Sequence, residues 1–487
     1  MKKFILLCTF CWGMLVPGAR ACTSFLAGRN ATIDGSTFIT YAADSHTLYG
    51  ALKFIPAARH PKNSTMEIRE WDTNKLLGHI PQVEYTYKVV GNMNEHQLSI
   101  TESTWGGRPE LVDTTGIIDY GSLMYIALQR AKTAREAITV MTDLVSEYGY
   151  YSSGESFSIA DPEEVWIMEM IGKGPQNQGA VWVAVRIPDD CIAAHANQSR
   201  IHKFPLDDKE NCLYSPDVIS FAREQGYFNG LNKDFSFADA YAPADFGALR
   251  GCEARVWSFY NRFNSSMGKY LSYLNGKSKE YLPLYIKPDK KLSVQDMKDA
   301  MRDHFEGTPF DMTQDVGAGP FKCPYRFRPM TFKVDSVEYT NERAVATQQT
   351  AFTLVAQMRS WLPNAIGGVL WFGVDDTNTC VYVPLYACLN EVPECYSELN
   401  GSMYDLSWTS AFWIHNWVAN MSYSRYDQMI EDIRPVQKDI ETTFYVQQPV
   451  IEKVANDLYR NDPVAAIRFL NAYSVAQAQQ TTVQWKK

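Results

Sequence analysis

Cys22 is the residue whose surroundings say most about chemistry. It stands directly behind Ala19-Arg20-Ala21 and is followed by Thr23 and Ser24. Upstream, Met1-Lys2-Lys3 carries positive charge, residues 4–16 form an apolar run, and Pro17-Gly18 closes it. A basic start, a short apolar core, a helix breaker and a small-x-small tripeptide make a secretory leader, with cleavage expected after Ala21. The run is shorter than the ~20 residues that cross a bilayer, so no membrane span is read from it. Cleavage leaves Cys22 as the first residue. An N-terminal cysteine carries its own general base, because an α-amine with a pKa of about 7.7–8 is partly neutral near pH 7 and can take the thiol proton. The thiolate then attacks a carbonyl carbon. On this residue alone two other readings stay open. One is a structural cysteine. The other is a lipid anchor, although Ala19 and Arg20 fit the lipoprotein cleavage pattern poorly.

The elements that would hold Cys22 can be read from the next residues. Residues 22–28 (CTSFLAG) form a short apolar strand, Asp34-Gly35 signals a turn, and residues 37–44 (TFITYAAD) are rich in the β-branched and aromatic residues of strands. In an antiparallel hairpin the start of the first strand lies beside the end of the second. Cys22 is therefore expected near Tyr41 and Asp44, with the Asp44 carboxylate orienting the α-amine.

The remaining composition narrows the class. The chain has 487 residues and a formal charge of −9; without its first 21 residues, which include Lys2, Lys3 and Arg20, it has 466 residues and a charge of −12. An acidic chain with 46% hydrophobic and 21% charged residues is neither disordered nor a nucleic-acid binder. Eight cysteines follow the leader, and the spacing of Cys388 and Cys395 suits a local disulfide. The eight histidines are scattered, with no HExxH; no Walker A loop and no GxSxG elbow are present. No metal and no cofactor are expected.

The stretch CTSFLAGRNATIDGSTFITYAADSH resembles the start of the secreted cysteine dipeptidases of bacteria, the dipeptidase A type, which belong to the N-terminal nucleophile hydrolases. The likeness is carried by Cys22-Thr23, Asp34-Gly35-Ser36 and Asp44-Ser45, then by segments in order along the chain: residues 91–96 (GNMNEH), 101–103 (TES), 154–161 (GESFSIAD), 195–200 (HANQSR), 252–257 (CEARVW) and 367–373 (GGVLWFG). The resemblance implies an α+β fold, a four-layer αββα sandwich with further helices toward the C-terminus. It implies hydrolysis of dipeptides or short peptides through a Cys22 thioester, without metal. Carried over residue by residue, Cys22 is the nucleophile and its amine the base, Asp44 the orienting carboxylate, Asn94 an oxyanion donor, Asn197 an asparagine near the leaving group, and Arg255 a charged site residue. One departure stands out. Where many members have arginine, this chain has Tyr41. A guanidinium favours a thiolate, whereas a phenol only exchanges a hydrogen bond.

Helices are expected within residues 116–144, from Ser293 through His304 and over residues 464–472, and strands over residues 156–160, 165–171 and 181–187. No repeat or linker divides residues 22–487, which are read as one elaborated hydrolase domain. The expected partner is a peptide substrate, with a homo-oligomer left open, and the expected location is outside the bacterial cytoplasm, periplasmic or extracellular. Two alternatives remain: an N-terminal cysteine amidase acting on bile salts or penicillins, and a lipid-anchored binding protein without catalysis.

Overall fold

The structure, a computed structural model, describes residues 22–326, 331–340 and 342–487. The leader expected over residues 1–21 lies outside the described residues.

Two large antiparallel sheets dominate. The first has seven strands in the order Tyr285–Ile286, Ile192–His195, Ser24–Ala27, Thr37–Asp44, Thr350–Met358, Val369–Val374 and Val383–Tyr386. The second has eight, in the order Cys212–Tyr214, Ala180–Arg186, Val165–Gly172, Gly154–Ala160, Ser99–Trp105, Met93–Asn94, Val89–Val90 and Phe54–Ile55. Strands Ser24–Ala27 and Thr37–Asp44 of the first sheet touch Ser99–Trp105 and Gly154–Ala160 of the second. Each sheet also carries helices. Tyr120–Arg130 and Ala134–Tyr148 lie on the second sheet, while Val294–Met301 and the long C-terminal pair Tyr426–Asn461 and Pro463–Trp485 lie on the first. The expected combination of α and β elements is present.

Sequence chemistry accounts for these elements. Thr37–Asp44 and Val165–Gly172 are buried along their whole length, as expected of strands covered on both faces. The expected helix pair starts at two side-chain caps, Asp119 accepting from the Ser122 N–H and Thr133 from the Glu136 N–H. Ser293 and Asp296 cap each other's backbone in a capping box, and the helix they open ends at Met301, short of the expected His304. The 36-residue helix Tyr426–Asn461 is tied down by buried charge: Glu441 pairs with Arg302 at 2.6 Å and accepts from the Tyr382 N–H at 2.8 Å.

Between the two large sheets runs a polar seam. His195 is fully buried, with Nδ1 2.6 Å from Ser103 Oγ and Nε2 2.7 Å from Ser158 Oγ, so it links the first sheet to two strands of the second. Burial and the nearby Arg200 and Arg255 hold this imidazole neutral, its pKa pushed down to about 3. Ser24 Oγ lies 3.3 Å from Thr101 Oγ1, which donates to the Thr40 carbonyl at 3.2 Å. These satisfied polar pairs fix how the sheets register on one another, and they bring residue 102 opposite residue 22.

All eight cysteines of the described residues are free thiols. No bridge joins Cys388 and Cys395, whose spacing would allow one; each is buried singly.

Candidate active site

Cys22 sits just ahead of the first strand, where Thr23 bridges to Ala42 and the Ala42 N–H donates to the Thr23 carbonyl at 3.0 Å. The hairpin register, Leu26 opposite Ile39 and Ala27 opposite Phe38, carries Cys22 to the Tyr41–Asp44 end of the second strand, as the two strand patterns and the turn at Gly35 require. Behind Cys22, Arg255 on helix Ala254–Phe263 holds the backbone. Its guanidinium donates to the carbonyls of Cys22 (2.8 Å), Ala196 (3.1 Å) and Gly251 (2.7 Å), to Thr23 Oγ1 (2.7 Å) and to Asn197 Oδ1 (2.9 Å).

The Cys22 sulfur faces a small acidic cleft of about 80 Å³, walled by Tyr41, Asp44, Leu48, Trp71, Asp72, Glu102 and Tyr120 among others. The thiol lies 3.4 Å from Glu102 Oε1 and 3.8 Å from the Tyr41 hydroxyl, and Tyr41 donates to the same Glu102 oxygen. Trp71 and Asp72 arrive on the turn following strand Thr65–Arg69. That turn docks because Trp71 donates its N–H to Asp119 Oδ2 at 2.7 Å and stacks on Tyr125 at 4.8 Å. It also needs Gly121, where a Cβ would come within 2.5 Å of the Trp71 ring. Beside the cleft, sharing Leu48 and Trp71 with it, is an apolar cavity of about 270 Å³ lined by Tyr125, Phe352 and Phe372.

The electrostatics run against an ionised sulfur. Burial raises the Cys22 thiol well above its ordinary pKa, and Glu102 and then Asp44 add to this; the Asp44 backbone N–H and the Tyr41 hydroxyl oppose it. Tyr41 keeps its proton for the same first reason, burial, reinforced by Cys22 and Glu102. Asp44 is itself raised by burial and held back by Arg343, whose Nη2 donates at 2.8 Å, and by Thr350 Oγ1 at 2.6 Å. Removing the Tyr41 hydroxyl takes away a hydrogen-bond contact that lowers the thiol pKa. Tyr41→Phe is therefore expected to move Cys22 alkylation by iodoacetamide to higher pH. Peptide mapping over a pH series reads this, and an unmoved or lowered midpoint contradicts it.

Of the residues singled out in the sequence, the structure gathers Cys22, Tyr41 and Asp44 at one cleft. Asn94 is not a free donor. Its amide protons go to the Leu128 and Ala131 carbonyls, both at 2.8 Å, and its oxygen accepts from the His96 and Leu98 N–H groups. The expectation of an oxyanion contact from Asn94 is corrected accordingly: its side chain closes a local turn. Arg255 has every donor committed to the chain itself, so it positions Cys22 and has none left for a substrate. Asn197, with φ of 58°, donates to the Thr104 carbonyl at 2.6 Å beside Arg255 and does not line the cleft. Sequence reasoning missed Glu102, Asp72 and Arg343. The first lies within the TES segment, where a charged residue inside a buried strand was the available signal.

Comparison with known proteins places the chain among peptidases. The sequence profile of Peptidase family C69 matches residues 52–439. A protein of Latilactobacillus sakei named a probable dipeptidase is 27% identical over 425 residues, covering 83% of this chain and 82% of that protein. A probable dipeptidase of Salmonella dublin is 27% identical over 408 residues, 79% of this chain and 85% of its own length. A probable dipeptidase B of Lactococcus lactis subsp. lactis is 27% identical over 432 residues, 84% and 83% respectively. The profile match begins beyond Cys22, Tyr41 and Asp44, so their roles rest on geometry and chemistry.

Proposed function

The chain belongs to peptidase family C69 and is a peptide hydrolase, and from this premise we propose that it is an exported dipeptidase whose nucleophile is the Cys22 thiol. In this reading the leader is removed after Ala21, and the two sheets with their helices form the αββα sandwich of an N-terminal nucleophile hydrolase. The freed α-amine of Cys22 takes the thiol proton. The sulfur attacks the scissile carbonyl, forming the C–S bond, and the ammonium returns the proton to the leaving amine as the C–N bond breaks. Water, deprotonated by the same amine, then cleaves the thioester and regenerates the thiol. Backbone N–H groups of the cleft supply the oxyanion donors, and Asn94 has no part.

The observation that carries this reading is the seat of Cys22: 4% exposed, its sulfur at a cleft, its own carbonyl clamped by Arg255. The acidic surroundings give the base a reason to be the α-amine. Beside Glu102 and Asp44 a thiolate needs a positive partner, and the ammonium formed by proton transfer is one. The same acidity argues against the amidase alternatives, because conjugated bile salts and penicillins are anions. The apolar cavity next to the cleft suits a substrate side chain.

A substrate panel tests the proposal. Purified protein is expected to hydrolyse unmodified dipeptides at least about 100-fold faster, as kcat/KM, than glycine- or taurine-conjugated bile salts and penicillin V, a difference of roughly 2.7 kcal/mol in barrier. Faster turnover of either non-peptide amide overturns the dipeptidase reading in favour of the amidase.

A further inference from the structure

Glu102 is the unexplained group at the cleft. It is 2% exposed. One carboxyl oxygen, Oε1, accepts from Tyr41 and lies 3.4 Å from the Cys22 sulfur. The other, Oε2, is shielded from solvent and has no hydrogen-bond partner among the described residues. A buried carboxylate oxygen left without a donor is costly and calls for one. The cleft lining points the same way: it holds Asp44, Asp72 and Glu102 and, among the described residues, no Lys, Arg or His. Asp44 is neutralised by Arg343, and Asp72 accepts from the Tyr120 hydroxyl at 2.9 Å. Among the described residues the Glu102 carboxylate has only neutral donors, the Tyr41 hydroxyl and the Cys22 thiol.

A dipeptide brings a cation to this spot. Its α-nitrogen is two bonds from the carbonyl carbon that is attacked, about 2.5 Å away. A carbonyl in near-attack contact with the sulfur, at about 3–3.5 Å, therefore carries its ammonium within reach of a carboxyl group that itself touches the sulfur.

We infer that Glu102 is the receptor for the substrate's α-ammonium group and sets the requirement for a free amino terminus. The inference rests on the dipeptidase reading and adds the residue that selects within it. Ion pairing to Oε2 holds the residue on the amino side of the scissile bond, and it offsets the charge that otherwise opposes the thiolate. Tyr41 keeps the carboxyl group turned toward the cleft by occupying Oε1, so it acts on substrate through Glu102. An N-acylated or des-amino substrate leaves Oε2 unpaired and binds poorly.

The test compares a dipeptide with its N-acetyl derivative in the wild type and in Glu102→Gln, with thermal melting as the folding control. Wild type is expected to prefer the free amine by at least about 100-fold in kcat/KM, the size of a desolvated charge pair. In the variant, the free dipeptide is expected to lose most of that advantage over the N-acetyl derivative; any change in the reactivity of the sulfur is common to both substrates and cancels in the ratio of their kcat/KM values. Equal losses for both substrates would make Glu102 a partner of Cys22 or its amine instead, and an unchanged preference would remove it from recognition; either overturns the inference. Should the variant not fold, competition in the wild type decides: a dipeptide analogue with a reduced, uncleavable central bond is expected to inhibit about 100-fold more tightly than its des-amino counterpart, and equal inhibition refutes the role. If the wild type cleaves no dipeptide at all, the dipeptidase reading itself has failed; if it cleaves free and N-acetylated dipeptides equally, only the assignment of Glu102 has.

Discussion

Replacing Cys22 by serine is expected to lower kcat/KM for dipeptides by at least about 10³-fold while leaving the melting temperature nearly unchanged. The substitution exchanges sulfur for oxygen at one buried atom. The Arg255 clamp is made to the backbone and to Thr23, so the fold has little to lose even though the shorter side chain gives up the sulfur's contacts of 3.4 Å to Glu102 and 3.8 Å to Tyr41. Chemistry has much to lose. A thiol is intrinsically the better nucleophile and sits nearer ionisation, and in this acidic cleft even the thiol is pushed up. An alkoxide there, several pKa units harder to form, has only the α-amine to help it. Activity within about threefold of wild type, measured on protein shown by melting to be folded, would remove Cys22 from the nucleophile's role.

A large loss is also expected when a single residue is kept in front of Cys22. A chain that begins at Ala21 retains the thiol, the cleft and the Arg255 clamp. Its Cys22 nitrogen is an amide, with no lone pair for the thiol proton and no positive charge in the protonated state. General-base catalysis contributes about 10²–10⁴-fold, and the acidic neighbours make the missing counter-charge felt as well. Such a protein should still melt like the mature form and still be alkylated at Cys22 at high pH, yet turn over dipeptides at least about 100-fold more slowly. Full activity in the extended chain would mean that another group is the base.

The parts of the site that are local in sequence were legible there. The N-terminal hairpin follows from two apolar, β-branched runs around an Asp-Gly turn, and it alone carries Cys22 to Tyr41 and Asp44. The helix starts follow from capping residues such as Ser293 and Asp296. Glu102 was not legible as a site residue, because it reaches Cys22 from another sheet, 80 positions along the chain, through the polar seam of Ser24, Thr101 and His195. Asn94 misled for the opposite reason. An asparagine in a polar segment reads as a free amide, whereas here a turn with Gln97 at positive φ takes its oxygen and the Leu128 and Ala131 carbonyls take its amide protons. Arg255 likewise reads as a charge for the substrate until the structure shows it buried among carbonyls. Counterparts such as Arg343, which reaches Asp44 from 299 positions away, carry no sequence signal at all.

The most direct test is the N-terminal residue of the active protein, read by intact mass and N-terminal sequencing of material whose turnover has been measured. The prediction is Cys22 with an unmodified α-amine, the mass of residues 22–487, and activity that tracks the fraction of chains so processed. Fully active protein in which Cys22 is preceded by another residue, or carries an acyl group on its nitrogen, would contradict the mechanism at its foundation.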